Sequence, residues 1–137
     1  MTKLIQKRKA RRKQTAEDFT PSSLVNEMLD KLPQEVFTDP SKTFCDPAAG
    51  NGNFLIEILN RKLKNNSDAL QALSTIYGVE LMSDNVEELK ERLLLLIPKN
   101  LHKEAKEILD KNIVCHDALT WDFVNWRSLN PKSKKLF

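Results

Sequence analysis

Three short apolar segments, rich in β-branched or aromatic residues, alternate with amphipathic helical segments between residues 14 and 137. Strands that alternate with helices of ten or more residues need right-handed crossovers and therefore form a parallel sheet. This region contains no internal repeat and no low-complexity linker, so we treat residues 14–137 as one folding unit. The pattern predicts an α/β fold with a partial Rossmann-like, doubly wound parallel sheet of three strands and flanking helices.

The first helix is predicted at about residues 21–32. Thr20 is a suitable N-cap and Pro21 fits the first helical position. The apolar residues that share one face of this helix are Leu24, Val25, Met28, Leu29 and Leu32. Pro33 ends the helix. The next apolar run, residues 43–45, predicts a buried strand that ends at Asp46-Pro47.

A second helix is predicted from about Asn53 to the interruption at residues 65–67. Its core-facing residues are Phe54, Leu55, Ile58, Leu59 and Leu63. Residues 68–73 predict one or two further helical turns. The β-branched and aromatic segment 75–79 then predicts the second strand, which ends at Glu80.

The last elements predicted are two helices and a third strand. Ser83 and Asp84 are expected to cap a helix that runs to Pro98. Its apolar positions are Val86, Leu89, Leu93 and Leu96. A further helix at about residues 101–111 turns Leu101, Ala105, Ile108 and Leu109 inward. Residues 113–115 predict the third strand, which His116 and Asp117 follow.

Charge is unevenly distributed over the 137 residues, whose formal net charge is +3. Residues 1–13 form a basic N-terminal arm without an acid, and its bases are Lys3, Lys7, Arg8, Lys9, Arg11, Arg12 and Lys13. Residues 14–137 then carry 15 bases and 19 acids, a net charge of −4. Such an arm can neutralise phosphates and bind DNA weakly, without sequence preference. The alternative is a solvated tail without a specific contact, since no aromatic residue accompanies the bases.

Several classes of protein are excluded by composition. No apolar run approaches the length of about 20 residues that crosses a bilayer, and no secretory signal follows the basic arm, so we expect a cytoplasmic protein without a membrane partner. Cys45 and Cys115 are too few for a disulfide framework and are interpreted as buried apolar residues. With only His102 and His116 beside them, no metal site is predicted.

The candidate site lies where the predicted strands end. In an open parallel sheet, ligands bind beyond the carboxyl ends of the strands, and an acid ends or follows each strand here: Asp46, Glu80 and Asp117. The loop after Asp46 contains Gly50 and Gly52, which permit a positive φ and close approach of a ligand. It lacks the GxGxxG pattern of a dinucleotide site. A carboxylate in this loop would repel a pyrophosphate, so a ligand with an ammonium, a sulfonium and a ribose diol fits better.

Four motifs resemble those of the adenine-N6 DNA methyltransferases. Asp46-Pro-Ala-Ala-Gly-Asn-Gly-Asn-Phe54 resembles the motif that binds S-adenosylmethionine, and Phe19-Thr20-Pro21-Ser-Ser-Leu-Val25 resembles the motif that precedes the sheet. Tyr77-Gly78-Val79-Glu80-Leu81 is similar to the acidic motif of the second strand. Asn112-Ile-Val-Cys-His-Asp117-Ala-Leu119 is similar to that of the third. The resemblance covers about residues 18–123 and implies the first half of a class I methyltransferase fold.

The resemblance also implies how S-adenosylmethionine is held. Thr20, between Phe19 and Pro21, would contact the methionine carboxylate, and Asp46 would hold the ammonium. The backbone at Ala48, Gly50 and Gly52 would line the methionine arm. Glu80 would accept both ribose hydroxyls, and Leu81 would pack on the adenine. Asp117 would accept from the adenine amino group, with the Ala118 N–H directed at the ring. The alternative is that these acids only cap helices.

The resemblance fails at the residues that perform catalysis in this family. Those are an Asn or Asp, two prolines and an aromatic residue at the end of a fourth strand, where they hold the flipped adenine. The nearest string, Asn130-Pro131-Lys132-Ser133, lacks the second proline and the aromatic residue, and Leu136-Phe137 resembles the beginning of that strand. We therefore predict no catalytic residue in this chain, and expect the missing strand to come from a second polypeptide or the edge to mediate self-association.

Two alternatives remain at this level. The chain could be a non-catalytic regulatory protein that binds nucleic acid or a partner on a methyltransferase scaffold, or it could be a degenerate piece without activity. Trp121, Phe123 and Trp126 could likewise form a base-stacking surface or a partner patch, although the spacing favours a place in the core.

Overall fold

The predicted α/β class is confirmed by the structure, a computed structural model that describes residues 19–129 of the chain. Strands β1 (Phe44–Asp46), β2 (Ile76–Glu80) and β3 (Ile113–Cys115) form a parallel sheet in the order β1-β2-β3. Helices connect each strand to the next, as parallel strands require. The partial Rossmann-like sheet expected from the sequence is therefore present.

Six α-helices surround this sheet or connect its strands in the described residues. Their bounds are α1 Ser22–Asp30, α2 Glu35–Thr38, α3 Asn53–Asn65, α4 Ala69–Ser74, α5 Ser83–Leu95 and α6 His102–Asn112. Two short 3-10 turns, Lys99–Leu101 and Ala118–Thr120, precede α6 and follow β3. Helix α2 is too short to give an apolar period, which is why the sequence did not predict it. No helix in residues 19–129 has the length and apolar character needed to cross a membrane.

The hydrophobic core lies where α3 and α5 pack on the sheet. Leu55 and Leu59 of α3, Leu89 and Leu93 of α5, and Ile76 of β2 are fully buried. Burying a Leu or Ile side chain contributes roughly 1.5–3 kcal/mol, so these contacts fix α3 and α5 against the strands. Because α3 follows β1 and α5 follows β2 after short loops, the N-termini of both helices lie at the carboxyl ends of these strands.

Helix α1 differs from its prediction at its start and on its exposed face. It begins at Ser22, with Pro21 rather than Thr20 at the N-cap position and no side-chain cap. Only Val25 and Leu29 are buried, because α1 packs against α3 along part of its apolar face. The predicted core residues Leu24, Met28 and Leu32 remain exposed.

The predicted N-cap of α5 was also wrong. Its N-cap is Met82, and no side chain caps it. Ser83 and Asp84 instead form the first turn, where the Asp84 Oδ1 accepts the Asn85 N–H at 2.9 Å. In contrast, Asp68 does cap α4, since its carboxylate accepts the Gln71 N–H.

The prediction that both cysteines are buried was wrong. Cys45 and Cys115 are exposed. Cys45 lies on the edge strand β1, where it is paired in register with Tyr77. Partial desolvation and the neighbouring Asp46 raise the pKa of the Cys45 thiol to about 11. This thiol is therefore protonated at neutral pH.

The aromatic residues after β3 do not join the main core. They lie on a two-stranded antiparallel hairpin, Trp121–Asp122 (β4) and Arg127–Ser128 (β5), which the sequence did not predict. Trp126 contacts Tyr77, Trp121 and Phe123 edge-to-face, with ring centroids 4.9, 5.2 and 6.1 Å apart. The three aromatic residues thus form a small separate cluster, in which Phe123 stays exposed.

Candidate functional site

The carboxyl ends of β1 and β2 bring two acidic side chains together. Parallel pairing aligns Asp46 with Gly78, two residues before Glu80. Glu80 is close enough to Asp46 for its charge to raise the pKa of that carboxyl. Within residues 19–129, neither carboxylate forms an ion pair with Lys or Arg. The site therefore carries negative charge that a cationic group could compensate.

The loop between β1 and α3 depends on its two glycines. Gly50 has a φ of 56° and Gly52 a φ of 98°, a region that favours glycine. A Cβ on Gly50 would lie 3.1 Å from the Phe19 ring, and one on Gly52 would overlap Leu89 of α5. Gly50 therefore lets Phe19 fold over the loop, whereas Gly52 lets α5 pack beneath it.

Glu80 is the central acceptor of the site and is 8% exposed. Its Oε1 accepts the Gly50 N–H at 3.0 Å. Its Oε2 accepts the Met82 N–H at 2.9 Å and the Asn85 amide at 3.1 Å. A carboxylate has about four lone-pair positions, and three are used here, so Glu80 binds the loop to the start of α5 and keeps one position, on Oε1. That position suffices for one ribose hydroxyl, not for the two expected from the resemblance.

Asp46 is held less completely than Glu80. Its Oδ1 accepts the Ala48 N–H at 3.0 Å. Burial raises the pKa of the Asp46 carboxyl above its ordinary value of 3.8; the Ala48 N–H opposes this shift, and the charge of Glu80 adds to it. Ionised Asp46 therefore costs folding free energy, a pattern found in sites that bind a complementary charge.

We expect Asp46→Asn to raise the free energy of unfolding at neutral pH. Asparagine keeps an acceptor for the Ala48 N–H but carries no buried charge. Because the folded-state pKa is raised, the unfavourable effect of ionised Asp46 is complete above that pKa and disappears below about 3.8. Urea denaturation between pH 7 and pH 4 should show the advantage of the variant shrinking as the pH falls.

Asp39→Asn is the control, because it should change the free energy of unfolding in the opposite direction. Hydrogen bonds from Ser41 lower the pKa of the Asp39 carboxyl, so its ionised form stabilises the fold. The control variant should be less stable than the wild type at pH 7, and this difference should persist to about pH 4 and narrow only as the pH falls below the ordinary pKa of 3.8. If Asp46→Asn instead lowers stability at pH 7, Asp46 is not an unfavourably buried charge.

A cavity of about 100 Å³ opens beside Asp46. Its lining residues are Phe19, Thr20, Asp46, Ala48, Ala49, Gly50, Asn51, Asn53 and Phe54. The structure thus places five of the predicted site residues around one cavity: Phe19, Thr20, Asp46, Ala48 and Gly50. Gly52 lies outside this lining, buried against Leu89, and the exposed Pro21 is also outside it.

The remaining predicted residues lie at the ends of β2 and β3, outside the cavity lining. Leu81 is 56% exposed, which leaves an apolar side chain free at the end of β2. Asp117 caps the turn Ala118–Thr120, since its Oδ1 accepts the Leu119 N–H at 2.9 Å. Asp117 therefore does act as a cap, as the alternative interpretation expected, but it uses only one of its two carboxylate oxygens.

Three polar residues to which the sequence analysis assigned no role also shape the site. Arg92 of α5 donates to the Asn51 carbonyl at 2.9 Å and to the Asn53 Oδ1 at 3.0 Å. Asn53 in turn donates to the Thr20 carbonyl at 2.6 Å, which ties residues 19–20 to the loop. Asn85 is fully buried beside Glu80. Asn85 follows the acidic motif, but nothing in the sequence shows which way Arg92 or Asn53 points.

Comparison with known proteins places this site in a family. The family model described as N-6 DNA Methylase matches residues 3–120. The chain belongs to that family. Type II methyltransferase M.VspI of Vibrio sp. (strain 343) is 30% identical to it over 102 residues, which cover 74% of this chain and 20% of the relative. The chain therefore spans about a fifth of that relative's length. No solved structure gives a significant match.

Membership confirms the resemblance drawn from the four motifs. The matched residues 3–120 include the loop after β1, Glu80 and Asp117. An N-6 DNA methylase uses S-adenosylmethionine as methyl donor, so the family implies the cofactor.

Proposed function

We propose that this chain is the S-adenosylmethionine-binding part of an adenine-N6 DNA methyltransferase. The observation that carries the proposal is the convergence of Asp46 and Glu80 on one glycine loop without a cationic partner in residues 19–129. S-adenosylmethionine has an ammonium and a sulfonium for such a site and a ribose diol for a buried carboxylate. A pyrophosphate would meet repulsion from both acids.

The chain's own residues account for the binding of each part of the cofactor in this proposal. The cofactor supplies an electrophilic methyl group. Asp46 attracts the ammonium, and the cavity beneath Phe19 and Thr20 surrounds the methionine arm. Glu80 accepts from the ribose through the capacity left on Oε1.

The adenine end is assigned to residues of β2 and β3. Leu81 offers its exposed side chain to the adenine face, where burial of apolar area contributes to affinity. Asp117 uses one oxygen on the Leu119 N–H, which leaves the other for the adenine amino group. The Ala118 N–H is assigned to the ring.

Calorimetric titration with S-adenosylmethionine and S-adenosylhomocysteine tests this proposal. We expect saturable binding of both compounds by the 137-residue chain and none of NAD at the same concentrations. NAD is the matched control because it presents adenine and ribose together with the pyrophosphate that the loop should reject. Absence of binding by both sulfur compounds, or tight NAD binding, would contradict the proposal.

Methyl transfer is proposed to need a strand and a catalytic motif that these 137 residues do not contain. Strand β1 is the edge of the sheet in the described residues. An apolar hollow of about 210 Å³ lies beside it, lined mainly by Phe44, Cys45, Pro47, Phe54, Leu55 and Ile58. An open edge with adjacent apolar surface is a pairing site. This supports pairing of β1 with a further strand.

The basic N-terminal arm, which lies outside the described residues, is proposed to bind DNA. Deleting residues 1–13 should abolish the weak DNA affinity of the chain, because the remaining residues carry a net charge of −4. Seven bases predict a steep fall of the affinity between 50 and 200 mM salt. Fluorescence anisotropy with labelled duplex DNA would measure both effects. Equal binding by the shortened chain would locate the contact elsewhere.

A further inference from the structure

The start of α5 contains a buried amide beside the candidate ribose acceptor. Asn85 is 0% exposed, and its Nδ2 lies 3.1 Å from the Glu80 Oε2. A polar side chain at a fully buried position costs free energy unless its groups are hydrogen-bonded. An apolar residue would fill the same space in the helix without that cost. The bond from the Asn85 amide to the Glu80 carboxylate is charge-assisted and meets part of this requirement.

The two oxygens of Glu80 have different roles. Oε2 receives two donors from the start of α5, the Met82 N–H and the Asn85 amide. Oε1 receives one donor, the Gly50 N–H of the loop that borders the cavity. The α5 side thus fixes the carboxylate, and the other oxygen faces the loop.

We infer that Asn85 is a positioning residue for the ribose: by holding Oε2, it fixes the Glu80 carboxylate with the free position of Oε1 directed at a ribose hydroxyl. This inference rests on the proposed function, since it assumes that Glu80 accepts a hydrogen bond from a ribose. Glu80 is a glutamate with rotatable side-chain torsions, so a carboxylate held only by backbone groups would sample more orientations. Preorganisation by Asn85 reduces the entropy lost when the hydroxyl binds.

The test compares two buried asparagines. Asn85→Leu removes the donor to Glu80 and keeps the number and branching of the side-chain heavy atoms. Asn112→Leu is the matched control, because Asn112 is also buried and its amide donates to the Ser74 carbonyl at 3.1 Å, before β2 begins. Calorimetry would measure the affinity of each variant for S-adenosylhomocysteine and for its 2′,3′-dideoxy analogue.

A positioning role for Asn85 and a general loss of stability predict different ratios of the affinity for S-adenosylhomocysteine to that for its dideoxy analogue. If Asn85 positions Glu80, Asn85→Leu should reduce the preference for the diol over the dideoxy analogue by about 10-fold, the worth of one charge-assisted hydrogen bond. Asn112→Leu should leave that preference unchanged. An unchanged preference in Asn85→Leu would overturn the inference, even if both affinities fell together.

A ligand-free measurement separates this inference from the proposed function. Amide hydrogen exchange of the free protein can follow Gly50, whose N–H bonds to Glu80, beside Ala49, whose N–H bonds to the Val79 carbonyl at 3.0 Å. Asn85→Leu should accelerate exchange at Gly50 several-fold more than at Ala49. Equal acceleration at both amides would contradict the role of Asn85. Failure of the wild-type chain to bind S-adenosylhomocysteine would instead contradict the proposed function.

Discussion

Glu80→Ala should weaken binding of S-adenosylmethionine by about 1.5–3 kcal/mol, or roughly 10- to 150-fold in Kd. The substitution removes the acceptor assigned to the ribose, and hydrogen bonds to a charged acceptor are worth more than those between neutral groups. It also leaves the Gly50 and Met82 N–H groups and the Asn85 amide without their acceptor. Calorimetric titration of the variant and the wild type would measure the change.

The control must separate loss of the acceptor from loss of stability. Asn112→Ala also removes a buried side-chain hydrogen bond, but at the opposite end of the sheet, where its partner is the Ser74 carbonyl. This variant should lose thermal stability and retain its cofactor affinity. If Glu80→Ala binds S-adenosylmethionine as tightly as the wild type, the ribose assignment is wrong.

The isolated chain should transfer no methyl group to DNA, whatever its affinity for the cofactor. The sequence contains no Asn or Asp followed by two prolines and an aromatic residue to hold a flipped adenine. Incubation with labelled S-adenosylmethionine and duplex DNA should therefore give background counts. A polypeptide that carries the missing strand and motif should restore transfer when added, by pairing with β1. Robust methylation by the isolated chain would overturn this view.

The pairing expected at strand β1 can be tested separately from methyl transfer. If its open edge and the adjoining apolar hollow are a pairing site, the chain alone should self-associate as its concentration rises. Analytical ultracentrifugation over a range of concentrations would detect this. Adding a polypeptide that carries such a strand should replace the self-associated form with a heterodimer. A strict monomer at the highest concentration would count against pairing at this edge.

Much of the fold could be predicted because local pattern and tertiary packing agree. Helices α3 and α6 have apolar residues at helical spacing, and β1 and β2 end at acidic residues before loops. Prediction failed where tertiary context decides the outcome. Leu24 and Met28 have the spacing of core residues, yet α3 covers only part of the face they share. The hairpin at residues 121–128 is too short to show an alternating pattern.

The candidate site was predictable in its residue types but not in its connections. Asp46, Gly50 and Glu80 follow strands in a recognisable order, so their proximity could be expected. The distribution of donors on Glu80 could not, since it depends on where Asn85 and the Met82 N–H point. The contact of Arg92 with the Asn53 Oδ1 could not be predicted either, because the two residues are 39 positions apart in the sequence.

Amide chemical-shift mapping of the labelled chain with S-adenosylhomocysteine tests the central claim most directly. The claim is that the carboxyl ends of the three strands form the cofactor site. We expect the largest shifts at Ala48 and Gly50 in the loop, at Leu81 after β2 and at Ala118 after β3, with little change at Asn112. Large shifts confined to other surfaces, or no saturable shift at all, would contradict the claim.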